Sequence, residues 1–186
     1  MATATEHALP LWSALAVALL GLARCGREQT ADGIAQIRDG VARSDKASEK
    51  LMLFHCRAIL AEALNSIGQV EEGLAIAEEM IEEARRDGVC YWDSPLRRLM
   101  GELLLASDTG KAPAAEACFR EAVEIARSQQ AKSLELRAAT SLARLWRDQD
   151  RRAEAFDLLA PIHAWFTEGF DTADLKDAKA LLDELA

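Results

Sequence analysis

The segment Arg97-Arg98-Leu99-Met100-Gly101-Glu102-Leu103-Leu104-Leu105 decides the fold of this chain. At its centre the large apolar residue Met100 is followed by the small residue Gly101, and another large residue, Leu104, comes three positions later. These positions share one helical face, where a small residue lets a neighbouring helix approach and the large ones fill the gap. The same pair recurs at spacings of 40, 40 and 42 residues, as Leu20-Gly21, Leu60-Ala61, Met100-Gly101 and Leu142-Ala143.

A second small position follows each pair and predicts a second helix in each repeat. These small residues are followed four positions later by a mostly large apolar residue, in the pairs Gly33 and Ile37, Gly73 and Ala77, Ala115 and Phe119, and Ala155 and Leu159. Turn residues separate the helices of a pair at Gly26, Gly68 and Asp150, and the turn-rich segment 107–113 carries a two-residue insertion. Arg86-Asp87-Gly88 predicts a helix end between the second and third repeats.

The composition indicates a helical chain whose partners are proteins. Half of the 186 residues are hydrophobic but only 5% are aromatic, and Pro totals four residues. A formal charge of −9 disfavours binding to nucleic acid or to an anionic membrane, because both need a positive contact surface. Four cysteines spaced about thirty residues apart, Cys25, Cys56, Cys90 and Cys118, lack metal-site spacing and indicate reduced thiols in a cytoplasmic protein.

The apolar run Leu9–Ala23 (LPLWSALAVALLGLA) has the length of a signal-peptide core. No Lys or Arg precedes it, whereas Glu6 does, and Arg24 stands where a cleavage site needs a small residue. The run is also too short to span a bilayer. We therefore expect it to form the first helix of the array.

The motif pair Met100-Gly101-x-x-Leu104 and Ala115-x-x-x-Phe119 resembles the tetratricopeptide repeat. The resemblance implies a right-handed, all-α solenoid of about four helix pairs with a capping helix at its C-terminal end. The period of 40 to 42 residues exceeds the usual length of about 34. The family's closing Pro is missing, and its leading Trp is replaced by Val17, Arg57, Arg97 and Ala139.

Within this single domain of residues 1–186 we expect four repeats and a cap. The repeats cover about residues 9–46, 48–87, 91–130 and 132–169, and the capping helix covers 172–186. Asp171 or Thr172 is a candidate N-cap, and the cap's leucines share one face. Pro161 is expected to bend or divide the preceding helix near Ala160. The aromatic residues Trp165, Phe166 and Phe170 either pack on the cap or form an exposed patch.

Several longer segments of the C-terminal half carry a narrower resemblance. They are Tyr91-Trp92, residues 97–105, residues 115–122, residues 131–143 and residues 165–172. They are similar to the C-terminal repeats of bacterial adenylate/guanylate cyclase-type regulators with a predicted ATPase domain. This similarity covers about residues 90–186 well and 12–89 more loosely, and it implies a regulatory module that works beside a cyclase or ATPase module.

The residues themselves predict no enzyme. Gly110-Lys111 lacks the earlier glycine and the following Ser or Thr of a phosphate-binding loop. His7, His55 and His163 fall in different repeats or the tail, so we expect no metal site and no cofactor. The carboxylates of residues 71–83 either offer a cation or docking site or form a solvated outer face, and the second alternative is favoured.

In the tetratricopeptide family the first helices line the concave surface, so the resemblance places partner contacts there. Arg137, Thr140, Arg144 and Arg147 share one face of such a helix and could grip an anion. Alternatively, these arginines pair with Glu135, Asp148 or nearby acids. Earlier first helices add the candidate contacts His55, Glu62, Asn65, Arg98 and Glu102.

The function predicted from the sequence is a protein-protein interaction scaffold or regulatory module. It would bind a partner protein or an acidic peptide in its groove, and it could be a detached part of a cyclase or ATPase regulator. The alternative is a sensor domain that binds a small anionic ligand and regulates a catalytic partner.

Overall fold

The structure is a computed structural model that describes residues 10–27, 30–46, 50–88 and 90–186. These ranges contain nine α-helices and no β-strand, which confirms the predicted all-α class. The helices are α1 Pro10–Cys25, α2 Thr30–Lys46, α3 Lys50–Ser66, α4 Val70–Asp87, α5 Asp93–Ser107, α6 Ala112–Ser128, α7 Lys132–Asp148, α8 Arg152–Ala164 and α9 Ala173–Leu185. Short 3₁₀ turns cover Cys90–Trp92 and Thr109–Lys111.

The backbone forms two compact units. The first ends at Met80, inside α4, and the second covers Ile81–Ala186.

In the first unit α1, α2 and α3 pack against one another. The small residues predicted at Gly21 and Gly33 let α1 and α2 approach closely, since a Cβ on Gly21 would lie 2.6 Å from the carbonyl oxygen of Gly33. Leu60 of α3 is buried as expected, but Leu20 of α1 is 44% exposed. The reason is that the buried face of α1 is centred on Ala14, Val17 and Ala18, and Leu20 lies outside it.

In the second unit the pairs α5–α6 and α7–α8 share an apolar core with α9. Gly101 has the role that the sequence predicts. The ring of Phe119, which is 1% exposed, fills the space above it, and a Cβ on Gly101 would lie 2.5 Å from Phe119 Cε1. The large-small and Ala-x-x-x-Phe motifs are therefore the two sides of one contact between α5 and α6.

Residues with positive φ lie where the sequence predicts helix ends. Gly68 (φ 78°) follows α3 and Gly88 (φ 66°) follows α4, and both adopt a conformation that glycine reaches without strain. Asp150 (φ 63°) follows α7, and Gln130 (φ 56°) occupies the corresponding position after α6. The predicted insertion forms the 3₁₀ turn Thr109–Lys111, where Asp108 Oδ1 accepts a hydrogen bond from the Gly110 N–H at 2.8 Å.

The last helix, α9, has the character of a solenoid cap. Its leucines and Ala178 are buried against α7 and α8, and its remaining side chains are mostly charged and exposed. Thr172 stands at the N-cap position, but its hydroxyl donates to the Gly169 carbonyl at 2.7 Å instead of capping the helix. Pro161 does not divide α8, which runs from Arg152 to Ala164. None of the described helices is both long and apolar enough to cross a bilayer.

Candidate functional site

Three arginines of α7 form the centre of the predicted binding surface. Arg137, Arg144 and Arg147 have side chains that are 51%, 41% and 31% exposed. They follow helical spacing beside the buried residues Leu142 and Trp146, as the sequence predicts. We call these three residues the arginine strip.

Each member of the arginine strip forms an ion pair with an acidic residue of α9. Arg137 Nε donates to Asp174 Oδ2 at 2.7 Å, and Arg147 Nη1 donates to Glu184 Oε2 at 2.7 Å. Arg144 pairs with Asp177 between these two contacts. Arg147 also contacts Asp148 at 2.9 Å, as the alternative of pairing with nearby acids predicts.

The spacing of the two sets of charges explains this match. The outermost arginines of the strip are ten positions apart, as are their partners on α9, and the pairs rise together in residue number along both helices. At a helical rise of about 1.5 Å per residue, both sets extend over about 15 Å. The α9 carboxylates thus already accept hydrogen bonds from some of the arginine N–H groups that an anionic partner would use.

The other candidates of the second unit lie deeper in the packing. Thr140 is 4% exposed, and its hydroxyl donates to the Leu136 carbonyl at 2.8 Å, so in this structure a partner does not reach it. Arg98 pairs with Glu102 on α5, and Ser141 of α7 donates to the same Glu102 carboxylate at 2.9 Å. Arg98 and Glu102 therefore join α5 to α7, and their side chains remain 19% and 28% exposed.

The candidates of the first unit all lie on α3. Glu62 is exposed, whereas His55 and Asn65 are half-buried. The His55 Nδ1 atom lies 2.9 Å from the Leu51 carbonyl oxygen, one helical turn earlier. Asn65 Oδ1 is buried without a hydrogen-bond partner among the described residues. Of these three side chains, Glu62 is the one most accessible to a partner.

Glu135, one of the alternative partners predicted for the arginine strip, instead pairs with other cations. Its side chain is 3% exposed, and it accepts hydrogen bonds from Arg127 Nε at 2.8 Å and Lys132 Nζ at 2.7 Å. Burial by itself would raise the pKa of Glu135, but the hydrogen bonds from Lys132 and Arg127 hold it below its usual range. Glu135 is therefore a charged residue that joins the start of α7 to the end of α6.

A second network surrounds Trp146 at the other end of α7. The guanidinium carbons of Arg120 and Arg151 lie 4.8 and 4.6 Å from the Trp146 ring centroid. Glu116 accepts hydrogen bonds from Trp146 Nε1 at 2.9 Å and from both arginines. Burial would raise the pKa of Glu116, but these three donors lower it. The network fixes α6, α7 and the turn before α8 relative to one another.

The aromatic residues after α8 divide between the two predicted alternatives. Phe166 packs against the core of the second unit, whereas Trp165 and Phe170 are 58% and 51% exposed. Trp165 contacts Phe166 edge-on, with ring centroids 5.2 Å apart.

The acidic residues of α4 are largely solvated, and Glu72, Glu79 and Glu82 each form an ion pair with an arginine.

Asp174, Asp177 and Glu184 were not predicted from the sequence as part of the arginine-strip site. Their spacing along α9 was visible, but a helical wheel does not say which neighbouring helix a charged edge will face. Among the described residues, no three His, Cys, Asp or Glu side chains lie close enough to hold a metal ion.

Comparisons with known proteins bear on the fold alone. No family model and no curated protein matches the sequence. Among solved structures, a kinesin light chain-like protein from Podosopora anserina with nearly identical TPR-like repeats is 17% identical, with a TM-score of 0.67. A substituted variant of that protein superposes with a TM-score of 0.68, and each match covers 91% of this chain and 83% of the other. The chain thus has the all-α solenoid fold of tetratricopeptide-like repeat proteins.

Proposed function

We propose that this chain is a non-catalytic, cytoplasmic interaction scaffold that holds an acidic segment of a partner protein or peptide. The arginine strip is the principal contact. Exposed or half-exposed residues of the preceding first helices, such as Glu62, Arg98 and Glu102, contribute further polar contacts in their own units. A cyclase or ATPase module is the partner that the narrower sequence resemblance suggests.

One observation supports this proposal above the others: the arginine strip already binds an acidic helix. Arg137, Arg144 and Arg147 each pair with an α9 carboxylate at hydrogen-bond distance, which indicates the chemistry that this face suits. A guanidinium carries five N–H donors, and an ion pair with one carboxylate uses one or two of them. Since each arginine remains 31% to 51% exposed, donors are left for a second carboxylate.

The acidic residues around the arginine strip reduce its long-range attraction for an acidic partner. Asp174, Asp177 and Glu184 neutralise the three arginines, and Asp148 adds one more negative charge. Long-range attraction of an acidic partner is therefore weak, and recognition depends on the directed N–H donors. Removing the α9 carboxylates is expected to strengthen binding, because the arginines then lose their internal competitors.

A capture experiment with tagged full-length protein and lysate of the source cells tests the proposal. The wild type is expected to recover a partner, and the triple variant Arg137→Ala, Arg144→Ala, Arg147→Ala is expected to lose most of it. The charge-neutral variant Asp174→Asn, Asp177→Asn, Glu184→Gln is expected to retain more partner than the wild type. These opposite shifts distinguish competition for the arginines from general damage to the fold.

The matched control replaces three exposed, ion-paired arginines elsewhere, Arg38, Arg43 and Arg85, whose side chains are 51%, 50% and 63% exposed. It is expected to bind like the wild type. Equal capture by the arginine-strip variant and the wild type would count against the proposed site, and recovery of no partner by any variant would count against the scaffold function.

A further inference from the structure

A groove of about 520 Å³ lies between the end of α8 and the outer side of α9. Its wall is formed by His163 from α8, Phe170 from the connecting loop, and five residues of α9, which are Leu175, Lys176, Lys179, Ala180 and Asp183. We call it the α8–α9 groove. Pockets that hold small molecules have volumes of about 300–1,000 Å³. The groove is therefore large enough for a small organic ligand.

One side of the α8–α9 groove is apolar. Phe170 is 51% exposed and lies against the His163 ring, with centroids 6.1 Å apart. Leu175 is 4% exposed and forms the wall towards the core. An aromatic side chain that is half in water gains from being covered, because each buried Å² of apolar surface is worth about 25 cal/mol. This side suits the apolar body of a ligand.

The other side of the groove carries two lysines, Lys176 and Lys179, and one carboxylate, Asp183. Lys176 and Lys179 lie within about 60° of each other on the α9 helical wheel, on the opposite edge from Asp174 and Asp177. Lys179 pairs with Asp183, whereas Lys176 forms no ion pair with any side chain in the described ranges. The other three α9 carboxylates pair with the arginine strip, so the edge of α9 at this groove carries two lysines against one carboxylate, which is a net positive charge.

A polar atom without a partner lies in the wall of the groove. His163 Nε2 is shielded from water and has no hydrogen-bond partner among the residues that the structure describes. A buried polar atom left unpaired costs about 1–3 kcal/mol. His163 belongs to the wall of the groove, so its unpaired nitrogen lies next to the proposed site.

We propose that the α8–α9 groove binds a small organic anion, namely a carboxylate attached to an aromatic or aliphatic body. The body covers Phe170 and Leu175, and the carboxylate lies between Lys176 and Lys179. The charge of the groove decides the ligand class, since a basic edge in a chain of net charge −9 favours an anion over a neutral or cationic molecule. This site is independent of the arginine strip.

A second groove of the same unit shows why charge determines which groove we expect to bind an anion. It has a volume of about 500 Å³ and is lined by residues of α4, α5 and α6. Its charged side chains are balanced, with Arg97 paired to Glu121 and Arg120 to Glu116, so it has no preference for an anion. The α8–α9 groove differs because Lys176 is left without an acidic partner among the described residues.

The test is a ¹⁵N-HSQC titration of the full chain with 3-phenylpropanoate, and with 3-phenylpropanamide as the uncharged analogue. The carboxylate is expected to shift the amide signals of His163, Phe170 and Lys176 saturably at millimolar concentrations. We expect 3-phenylpropanamide to bind the wild type about 3- to 10-fold more weakly than 3-phenylpropanoate does. We expect the same loss when 3-phenylpropanoate binds the variant Lys176→Met, Lys179→Met. Phe170→Ala is expected to weaken both ligands equally, since it removes apolar contact alone.

The matched control, Lys46→Met with Lys111→Met, removes the same charge outside the groove and is expected to bind like the wild type. Absence of saturable shifts, equal affinity for the acid and the amide, or unchanged affinity in the Lys176→Met, Lys179→Met variant would each overturn the proposal. So would binding of a peptide with a free C-terminal carboxylate at the groove when the small carboxylate does not bind.

Discussion

Gly101 and Phe119 show how a single pair of residues sets the geometry of a helix pair. The Phe119 ring occupies the volume that a side chain at position 101 would need, with 2.5 Å between its Cε1 atom and a Cβ built there. The same relation holds between Gly33 and Cys25 in the first unit, where the corresponding distance to the thiol sulfur is also 2.5 Å. Small residues at these positions are therefore packing requirements.

Replacing Gly101 with Ala is expected to lower the free energy of unfolding by about 1–2 kcal/mol. Crowding a packed core costs about 1–3 kcal/mol, and the better helix propensity of Ala offsets at most about 1 kcal/mol of that. Urea unfolding measures the change. Gly26→Ala is the control, because its Cβ would meet no atom closer than the Ala23 carbonyl oxygen at 3.8 Å. Equal stability of Gly101→Ala and the wild type would contradict the proposed contact.

Glu135 makes a residue-scale prediction about pH. Its pKa is lower in the folded chain than the unfolded value of about 4.3, so its ion pairs stabilise the fold above that value. The stabilisation is lost as the pH falls through the lower folded-state pKa. Glu135→Gln is expected to cost about 1–2 kcal/mol near neutral pH, because charge-assisted hydrogen bonds are lost while Arg127 and Lys132 can still reach water.

Urea unfolding of wild type and Glu135→Gln near pH 7 and near pH 3 measures this effect. The stability difference is expected to shrink at the lower pH, because pH 3 lies below the unfolded-state pKa of about 4.3 and the stabilisation falls as the pH approaches the lower folded-state pKa. Glu124→Gln is the control, since that side chain is 72% exposed and is expected to change stability little at either pH. A difference that stays constant between the two pH values would show that the charge of Glu135 is not what stabilises the fold.

At the scale of elements, α9 has two different attachments to the second unit. Its buried face carries Leu181 at 3% exposure and Leu175 at 4% exposure. Its charged edge forms ion pairs whose side chains are 31% to 57% exposed, and pairs this exposed contribute about 0–1 kcal/mol each. Apolar packing therefore contributes most of the energy that holds the helix, and the ion pairs add little to it.

We therefore expect replacement of a buried leucine of α9 to lower stability more than neutralisation of its carboxylates. Leu181→Ala is expected to lower the free energy of unfolding by about 2–4 kcal/mol and to speed hydrogen exchange throughout the helix. The variant Asp174→Asn, Asp177→Asn, Glu184→Gln is expected to cost less than about 1 kcal/mol per pair and to leave exchange slow. Loss of protection in the charge-neutral variant would mean that ion pairs hold the helix, which would contradict this account.

At the scale of the whole molecule, the repeat period and helix ends were predictable because they depend on local rules. Small residues at close contacts, glycine with positive φ after helices and apolar faces at helical spacing all leave local signals in the sequence. Leu20 departed from the pattern, and it is 44% exposed although its counterpart Leu60 is 6% exposed. A prediction from repeats assumes that equivalent residues have the same surroundings, but Leu20 and Leu60 do not.

The candidate site was predictable only in part, since a helical wheel gives the face of a side chain but not what that face meets. The wheel grouped Thr140 with the arginines, yet its hydroxyl is buried against its own helix. It also did not predict that Glu135 would accept a hydrogen bond from Arg127. Distances between helices that are far apart in sequence depend on how their apolar faces pack, and this packing decides which charges become neighbours.

The sequence by itself determined that this protein is a chain of paired α-helices with an acidic surface and a polar-backed last helix, because periodicity, turn residues and composition are local properties. The tertiary structure alone decided that the acidic edge of α9 meets the arginine strip and that its basic edge borders a groove. The physical reason is that burial of the leucines of α9 fixes the rotation of the helix, and that rotation assigns each charged edge its neighbour.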